Sequence, residues 1–170
     1  MIIIEGMDNS GKSTLAQYLA QEFDLPLMRS PKNRTNIIVN TLELLVLNPH
    51  AIMDRFTIIS EKIYGPILRG RTAFDNGFTT WDMYFERLLK CRPMVFYCRP
   101  PATKVLDFGL RQQMTGVAEH SYELLIAYDT FMESLQYGSR LQIVKYDFTR
   151  SNANNWARFE IEKYHVGLIQ

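Results

Sequence analysis

Ile2-Ile3-Ile4-Glu5-Gly6-Met7-Asp8-Asn9-Ser10-Gly11-Lys12-Ser13-Thr14 sets the architecture of this chain. Three successive isoleucines predict a short strand buried on both faces. Gly6 through Ser13 match G-x-x-x-x-G-K-[ST], the phosphate-binding loop. Leu15, Ala16, Leu19, Ala20 and Phe23 then recur at helical spacing, with one face turned inward. The motif therefore stands between a buried strand and a helix start, the context it needs.

A polyphosphate requires several donors converging on one anion. Gly6 and Gly11 let the backbone turn so that successive N–H groups point inward, and the helix start adds unpaired N–H groups and its positive dipole end. Gly6, Asn9, Ser10, Gly11, Lys12, Ser13 and Thr14 are thus the candidate ATP-phosphate residues. Lys12 reaches toward the β- and γ-phosphates, and the Ser13 hydroxyl is a candidate Mg²⁺ ligand.

Working outward, 170 residues fit a single domain able to bury a full core, and 46% apolar with 22% charged residues is ordinary globular composition. The formal net charge of +1 supplies no strong field toward nucleic acid or membrane. Cys91 and Cys98 fit neither a metal spacing nor a redox pair and read as buried thiols of a reducing compartment. With no signal peptide and no apolar run near the ~18 residues a membrane span needs, a cytoplasmic location is expected.

Further strands are predicted at Leu27–Met28, Ala51–Met53, Met94–Cys98 and Leu141–Tyr146. Helices are predicted over Asn33–Leu47, Thr57–Leu68, Thr79–Lys90, from Pro101, over Ala118–Leu135, and from about Asn152 with Trp156, Phe159 and Ile161 inward. Gly65-Pro66 and Gly70–Gly77 read as breaks. Strands alternating with helices predict a three-layer α/β/α domain around a five-stranded, mostly parallel sheet, with ligands beyond the carboxyl ends of its strands. Gly6, Arg29, Asp54 and Arg99 all fall near such ends. Asp54 is suited to hold Mg²⁺ and Arg55 to clamp phosphate oxygens; the plainer alternative is a strand-end Asp capping the next helix beside a surface Arg.

Three motifs carry a resemblance. The loop Gly6–Ser13, with Asp8 at its third position, resembles that of thymidylate kinases. Asp54-Arg55-Phe56, followed by Ser60 and Tyr64, resembles that family's D-R-[YF]-x-x-S motif and its tyrosine, and Arg29-Ser30-Pro31 resembles its Arg-Phe-Pro segment. Ser60-Glu61-Lys62-Ile63-Tyr64-Gly65 is similar to the short, phage-encoded members of the thymidylate kinase-like and deoxynucleoside kinase group. The resemblance implies a P-loop kinase using ATP and Mg²⁺, with a short lid at about 109–117, located in the host cytoplasm if phage-encoded. It implies that Asp8 contacts the acceptor sugar, Arg29 the acceptor phosphate, Arg55 the acceptor and transferring phosphates, and Asp54 the metal, with Tyr64 beside the acceptor. Arg111 becomes the lid arginine that neutralises charge. Because Ser30 stands where the family has Phe, base stacking passes to another aromatic, with Phe56, Tyr64, Phe74 and Trp81 as candidates.

Arg99 is read either as reaching substrate or as pairing locally. Arg69, Arg71 and Glu61 read as solvated surface charges, His50, His120 and His165 as unpaired, and Tyr146-Asp147-Phe148-Thr149 as a segment that meets adenine or simply ends a strand. The leading expectation is phosphoryl transfer to a deoxynucleoside monophosphate. A hydroxyl acceptor is kept beside it, either a deoxynucleoside or a hydroxymethylpyrimidine in DNA, with the DNA acceptor not favoured. A nucleotide-binding protein without turnover is the third reading, and a homodimer is left open.

Overall fold

The computed structural model describes residues 1–30, 43, 49–74, 81–109, 114–138 and 141–169. Of the predicted helix over Asn33–Leu47 only Glu43 is described, and it is helical; the rest of that segment and the lid arginine Arg111 lie outside the described residues. β1 (Ile2–Glu5) is the middle strand of a five-stranded sheet. On one side of it lie β3 (Ile52–Asp54) and then β2 (Leu27–Arg29); on the other lie β4 (Met94–Cys98) and then β5 (Gln142–Tyr146). Every pairing is parallel, with Ile4 opposite Asp54 and Phe96, so the sheet is wholly rather than mostly parallel.

The twofold alternation of a strand sends these side chains into two cores. Ile2, Ile4, Met94, Phe96 and Cys98 pack with Leu15, Ala16 and Leu19 of α1 (Lys12–Glu22) and with Ala157 and Ile161 of α6 (Ala153–Ile169). Ile3, Met53, Val95 and Tyr97 pack on the opposite face. Their partners there include Ile59 and Tyr64 of α2 (Thr57–Arg69), Leu88 of α3 (Trp81–Lys90), Val105 of α4 (Ala102–Val105) and Tyr128 of α5 (Ser121–Gly138). Burial on both faces explains the unbroken apolar runs of β1 and β4. The layers are helix, sheet, helix, as a chain of alternating strands and helices predicts.

Several local expectations are corrected. α2 runs through Gly65-Pro66 instead of breaking there, and it ends at Gly70, whose left-handed backbone (φ 66°) places its N–H on the Pro66 carbonyl at 2.9 Å. Gly65 is needed for packing: a Cβ there would lie 2.8 Å from the Arg71 carbonyl oxygen. α6 turns Ala157 and Ile161 inward and leaves Trp156 and Phe159 exposed, because small Ala157 lets the helix sit close to the sheet. Cys98 is buried but Cys91 is exposed. Arg69 is paired with Glu61, which also accepts the Ala73 N–H at 2.8 Å, so both charges are spent on holding the turn after α2. His120 pairs with Glu123 one helical turn away. No described helix is long and apolar enough to cross a membrane.

Candidate active site

The donor side is built from backbone. Gly6 follows β1 at φ 144°, and a Cβ there would lie 2.6 Å from the Cys98 carbonyl oxygen. Asn9 (φ 65°) and Gly11 (φ 84°) complete the turn into α1. No side chain caps α1 and its first turn carries no acidic residue, so its leading N–H groups are left for an anion. Ser13 and Thr14 are exposed on that turn. The Ser10 hydroxyl is buried without a hydrogen-bond partner among the described residues. A buried hydroxyl of this kind on a glycine-cradled loop fits a polyphosphate site. Asn9 is turned differently from a phosphate ligand: its side-chain amide donates to the carbonyls of Lys104 (2.8 Å) and Asp107 (2.7 Å), tying the loop to α4.

Beside the loop opens a cleft of about 600 Å³, whose lining includes Gly11, Thr14, Tyr146, Phe148, Arg150 and Asn154. Phe148 leans on Gly11, where an added Cβ would meet its ring at 2.8 Å. The segment after β5 thus stands next to the phosphate loop and forms one wall of this cleft.

A second group, whose residues do not line that cleft, is built from charged side chains around Arg55. Arg55 leaves β3 in a left-handed conformation (φ 68°), which a non-glycine residue adopts only under support. Its N–H donates to the Ile4 carbonyl at 3.0 Å, and its carbonyl accepts the Ser30 hydroxyl at 2.7 Å. The guanidinium pairs with Asp8, donates to the Tyr64 hydroxyl at 3.3 Å and lies 4.8 Å from the Tyr64 ring centroid. The same hydroxyl accepts the Asp8 N–H at 3.2 Å. Burial raises the Tyr64 phenol to about 12, so it stays neutral. Asp54 is 9% exposed and ion-paired at 3.7 Å with Arg29, whose side chain is 64% exposed.

Beside Arg55 and Lys12 lies Glu5, wholly buried. It accepts hydrogen bonds from the N–H groups of Phe56 and Gly6 and from the Tyr128 hydroxyl, the last two at 3.3 Å. Burial raises its carboxyl to about 7 against the opposing pull of Arg55 and Lys12. Lys12, also buried, donates to the Met7 carbonyl; burial and the Arg55 charge lower its ammonium to about 8.

Asp8, Lys12, Arg55 and Tyr64 are therefore brought together, with Arg29 and Asp54 paired at the neighbouring strand ends. Arg99 points elsewhere: its guanidinium grips the Asp129 carboxylate of α5 (Nε–Oδ1 2.8 Å) and donates to the Pro100 carbonyl at 2.7 Å. Of the aromatic candidates for base stacking, Phe56 is wholly buried, Phe74 packs on Tyr84, and Trp81 stacks on Phe85 with centroids 4.5 Å apart. Glu5, Ser30 and Tyr128 have structural parts that motif reading did not assign, whereas Phe148 belongs to the segment after the last strand that the sequence singles out. The available signal was Glu5 itself, a carboxylate closing an otherwise apolar buried run.

No protein-family model matches the sequence, and no curated protein sequence matches it. Solved structures do match in fold. The YorR protein from Bacillus subtilis, in complex with phosphorylated GDP, is 18% identical at a TM-score of 0.74, over 99% of this chain and 98% of that one. Deoxyadenosine kinase from M. mycoides with bound dCTP is 16% identical at 0.58, over 96% and 100%. Shikimate kinase from Acinetobacter baumannii in complex with shikimate is 15% identical at 0.54, over 99% and 94%. What this chain shares with them is the P-loop kinase α/β fold.

Proposed function

We propose that this protein is an ATP- and Mg²⁺-dependent kinase that phosphorylates a deoxynucleoside monophosphate, with a thymidylate-like acceptor. The observation that carries the reading is the meeting of Lys12, from the phosphate loop, with Arg55, from the end of β3, in one buried cluster. Phosphoryl transfer asks for cations around the three non-bridging oxygens of the moving group and an in-line acceptor, with little covalent help from protein. An acceptor phosphate oxygen bonds to the γ-phosphorus as the bond to the β–γ bridging oxygen breaks, and ADP leaves. The attacking oxygen is already an anion, so no base is needed. Lys12 and Arg55 offset charge on the transferring group, Arg29 holds the acceptor phosphate, and Asp8 and Tyr64 orient Arg55 and the acceptor sugar. Arg111 supplies a further cation from the lid.

Among the described residues no three His, Cys, Asp or Glu side chains gather around a metal. Ser13 and Asp54 offer one hydroxyl and one carboxylate, a donor set that suits Mg²⁺ held mainly by nucleotide phosphates. The ion would supply charge neutralisation at those phosphates.

A hydroxyl acceptor is the second reading. It is favoured by the fold shared with proteins named deoxyadenosine kinase and shikimate kinase, and by Asp54, a carboxylate at a strand end that can serve as base. Incubation with γ-labelled ATP, Mg²⁺ and a panel of deoxynucleotides, deoxynucleosides and hydroxymethylated DNA separates the two. Labelled thymidine diphosphate is the expected product. Label on a hydroxyl acceptor selects the second reading, and tight nucleotide binding with no transfer to any acceptor removes both.

A further inference from the structure

Glu5 has no part in the transfer just described, yet it is the most enclosed charged group of the site. Six charged or titratable groups face it from every element packed around it: Asp8 of the loop, Lys12 of α1, Arg55 after β3, Tyr64 of α2, Cys98 of β4 and Tyr128 of α5. Lys12 and Arg55 are like charges in one poorly solvated space. Without an anion between them they repel, which is part of why the Lys12 ammonium is lowered. Two carboxylates offset them from within the protein. Asp8 does so at the rim, and Glu5 does so from behind, where its oxygens are fixed by the Gly6 and Phe56 N–H groups and the Tyr128 hydroxyl.

We propose that Glu5 is the resident counter-charge of the Lys12–Arg55 pair, a positioning residue that gives up its charge by taking a proton from solvent when a polyphosphate occupies the loop. This rests on the reading that Lys12 and Arg55 receive phosphate. An arriving polyphosphate brings negative charge into the space Glu5 already balances, so the ionised carboxylate competes with the ligand. Protonated, Glu5 retains lone pairs on both oxygens for the two backbone N–H groups, so the tether between loop and Arg55 segment persists while the competition ends. The carboxyl titrates near 7 in the free protein, where a small change in field shifts its occupancy. Binding and protonation are reciprocal: phosphate raises the affinity of Glu5 for a proton, and acid raises the affinity of the site for phosphate.

The test is calorimetry of the full chain with a non-hydrolysable Mg-ATP analogue and, separately, with inorganic triphosphate, in two buffers of different ionisation enthalpy. Wild-type protein is expected to take up about 0.4 of a proton per ligand near pH 7, and Glu5→Gln only about 0.1, the share open to Lys12. Glu5→Gln is also expected to bind either ligand about tenfold more tightly than wild type above pH ~8, the equivalent of a one-unit displacement of the titrating group, with the gap closing below pH ~6. A purely structural glutamate predicts the opposite, weaker binding in the variant at every pH. Wild-type uptake no larger than the share of Lys12, or weaker binding by a folded Glu5→Gln protein, overturns the proposal and leaves the kinase reading standing. Failure of the wild type to bind either ligand overturns the phosphate site and this inference with it. The wild-type measurement decides the matter alone if the variant does not fold.

Discussion

The phosphate loop and the Asp54–Arg55 step converge on one site, but they are made by different means. The loop takes its turn from neighbouring residues, with distant ones only anchoring it at Asp8 and Asn9: Ser10 N–H on the Met7 carbonyl at 3.3 Å, Leu15 N–H on the Gly11 carbonyl at 3.1 Å, and Lys12 folded back onto Met7. Arg55 takes its place from residues far along the chain: Ile4 and Ser30 hold its backbone, Asp8 and Tyr64 its guanidinium. The first half is a local turn and the second is a product of packing. Damage to the loop should therefore abolish chemistry or break one close approach, while damage around Arg55 should spread into stability.

The largest effect is expected at Lys12. Lys12→Ala removes the one cation the loop itself supplies, and turnover should fall by about 10³-fold or more. The fold should survive, since Arg55 and Asp8 remain as a pair and Arg55 still balances the buried Glu5 carboxylate. ADP release alongside a circular dichroism melt checks both halves of that statement. Next is Gly6→Ala. Its Cβ would sit 2.6 Å from the Cys98 carbonyl oxygen at φ 144°, and neither strand can retreat from the sheet. A loss of about 3 kcal/mol in a urea melt is expected. Gly11→Ala meets only the Phe148 ring, which can swing away, and should cost about 1 kcal/mol. Equal costs at the two glycines would mean that the loop is not held against β4 as described.

Arg55 separates chemistry from backbone strain. Arg55→Ala is expected to lower kcat by about 10²-fold, with a smaller change in KM for ATP. Arg55→Gly should lose the same activity yet be about 1 kcal/mol more stable than the alanine variant, because glycine occupies the left-handed region without penalty. Identical melts of the two variants would show that Ile4 and Ser30 do not hold the residue in that conformation.

This contrast also explains what could be read in the sequence. The loop was legible because the residues that shape it are the residues that announce it. The inner strands β1, β3 and β4 were legible because burial on both faces leaves short apolar runs, and β4 carries the same bounds in sequence and structure. The path of α2 through Pro66 was not, because local proline chemistry disfavours it and the packing of Gly65 against Arg71 and Thr72 overrides that preference. The inward face of α6 was misassigned because Trp156 and Phe159 look like core by type, whereas the sheet needed a small residue at Ala157. Glu5 and Tyr128 were not seen as partners because 123 residues separate them, and no periodicity encodes such a pair.

Arg99 gives the finest division between the two kinds of region. It follows β4 much as Gly6 follows β1, and by position alone it belongs to the ligand edge of the sheet. Its side chain instead grips Asp129 with both Nε and a terminal nitrogen, and the Tyr97 hydroxyl donates to the same carboxylate at 2.8 Å. The pairing with Arg99 holds Asp129 below the usual carboxylate range despite its partial burial, so the ion pair persists well into acid. Arg99→Ala should cost about 1 kcal/mol of stability, a figure discounted for the solvent that still reaches both groups, and Asp129→Asn about the same. The double variant should cost little more than either single change, since one pair is lost in all three. KM for ATP and for the acceptor should stay within about twofold of wild type. A tenfold rise in acceptor KM with unchanged stability would return Arg99 to the acceptor wall, and would show that its hold on Asp129 is released when ligand arrives.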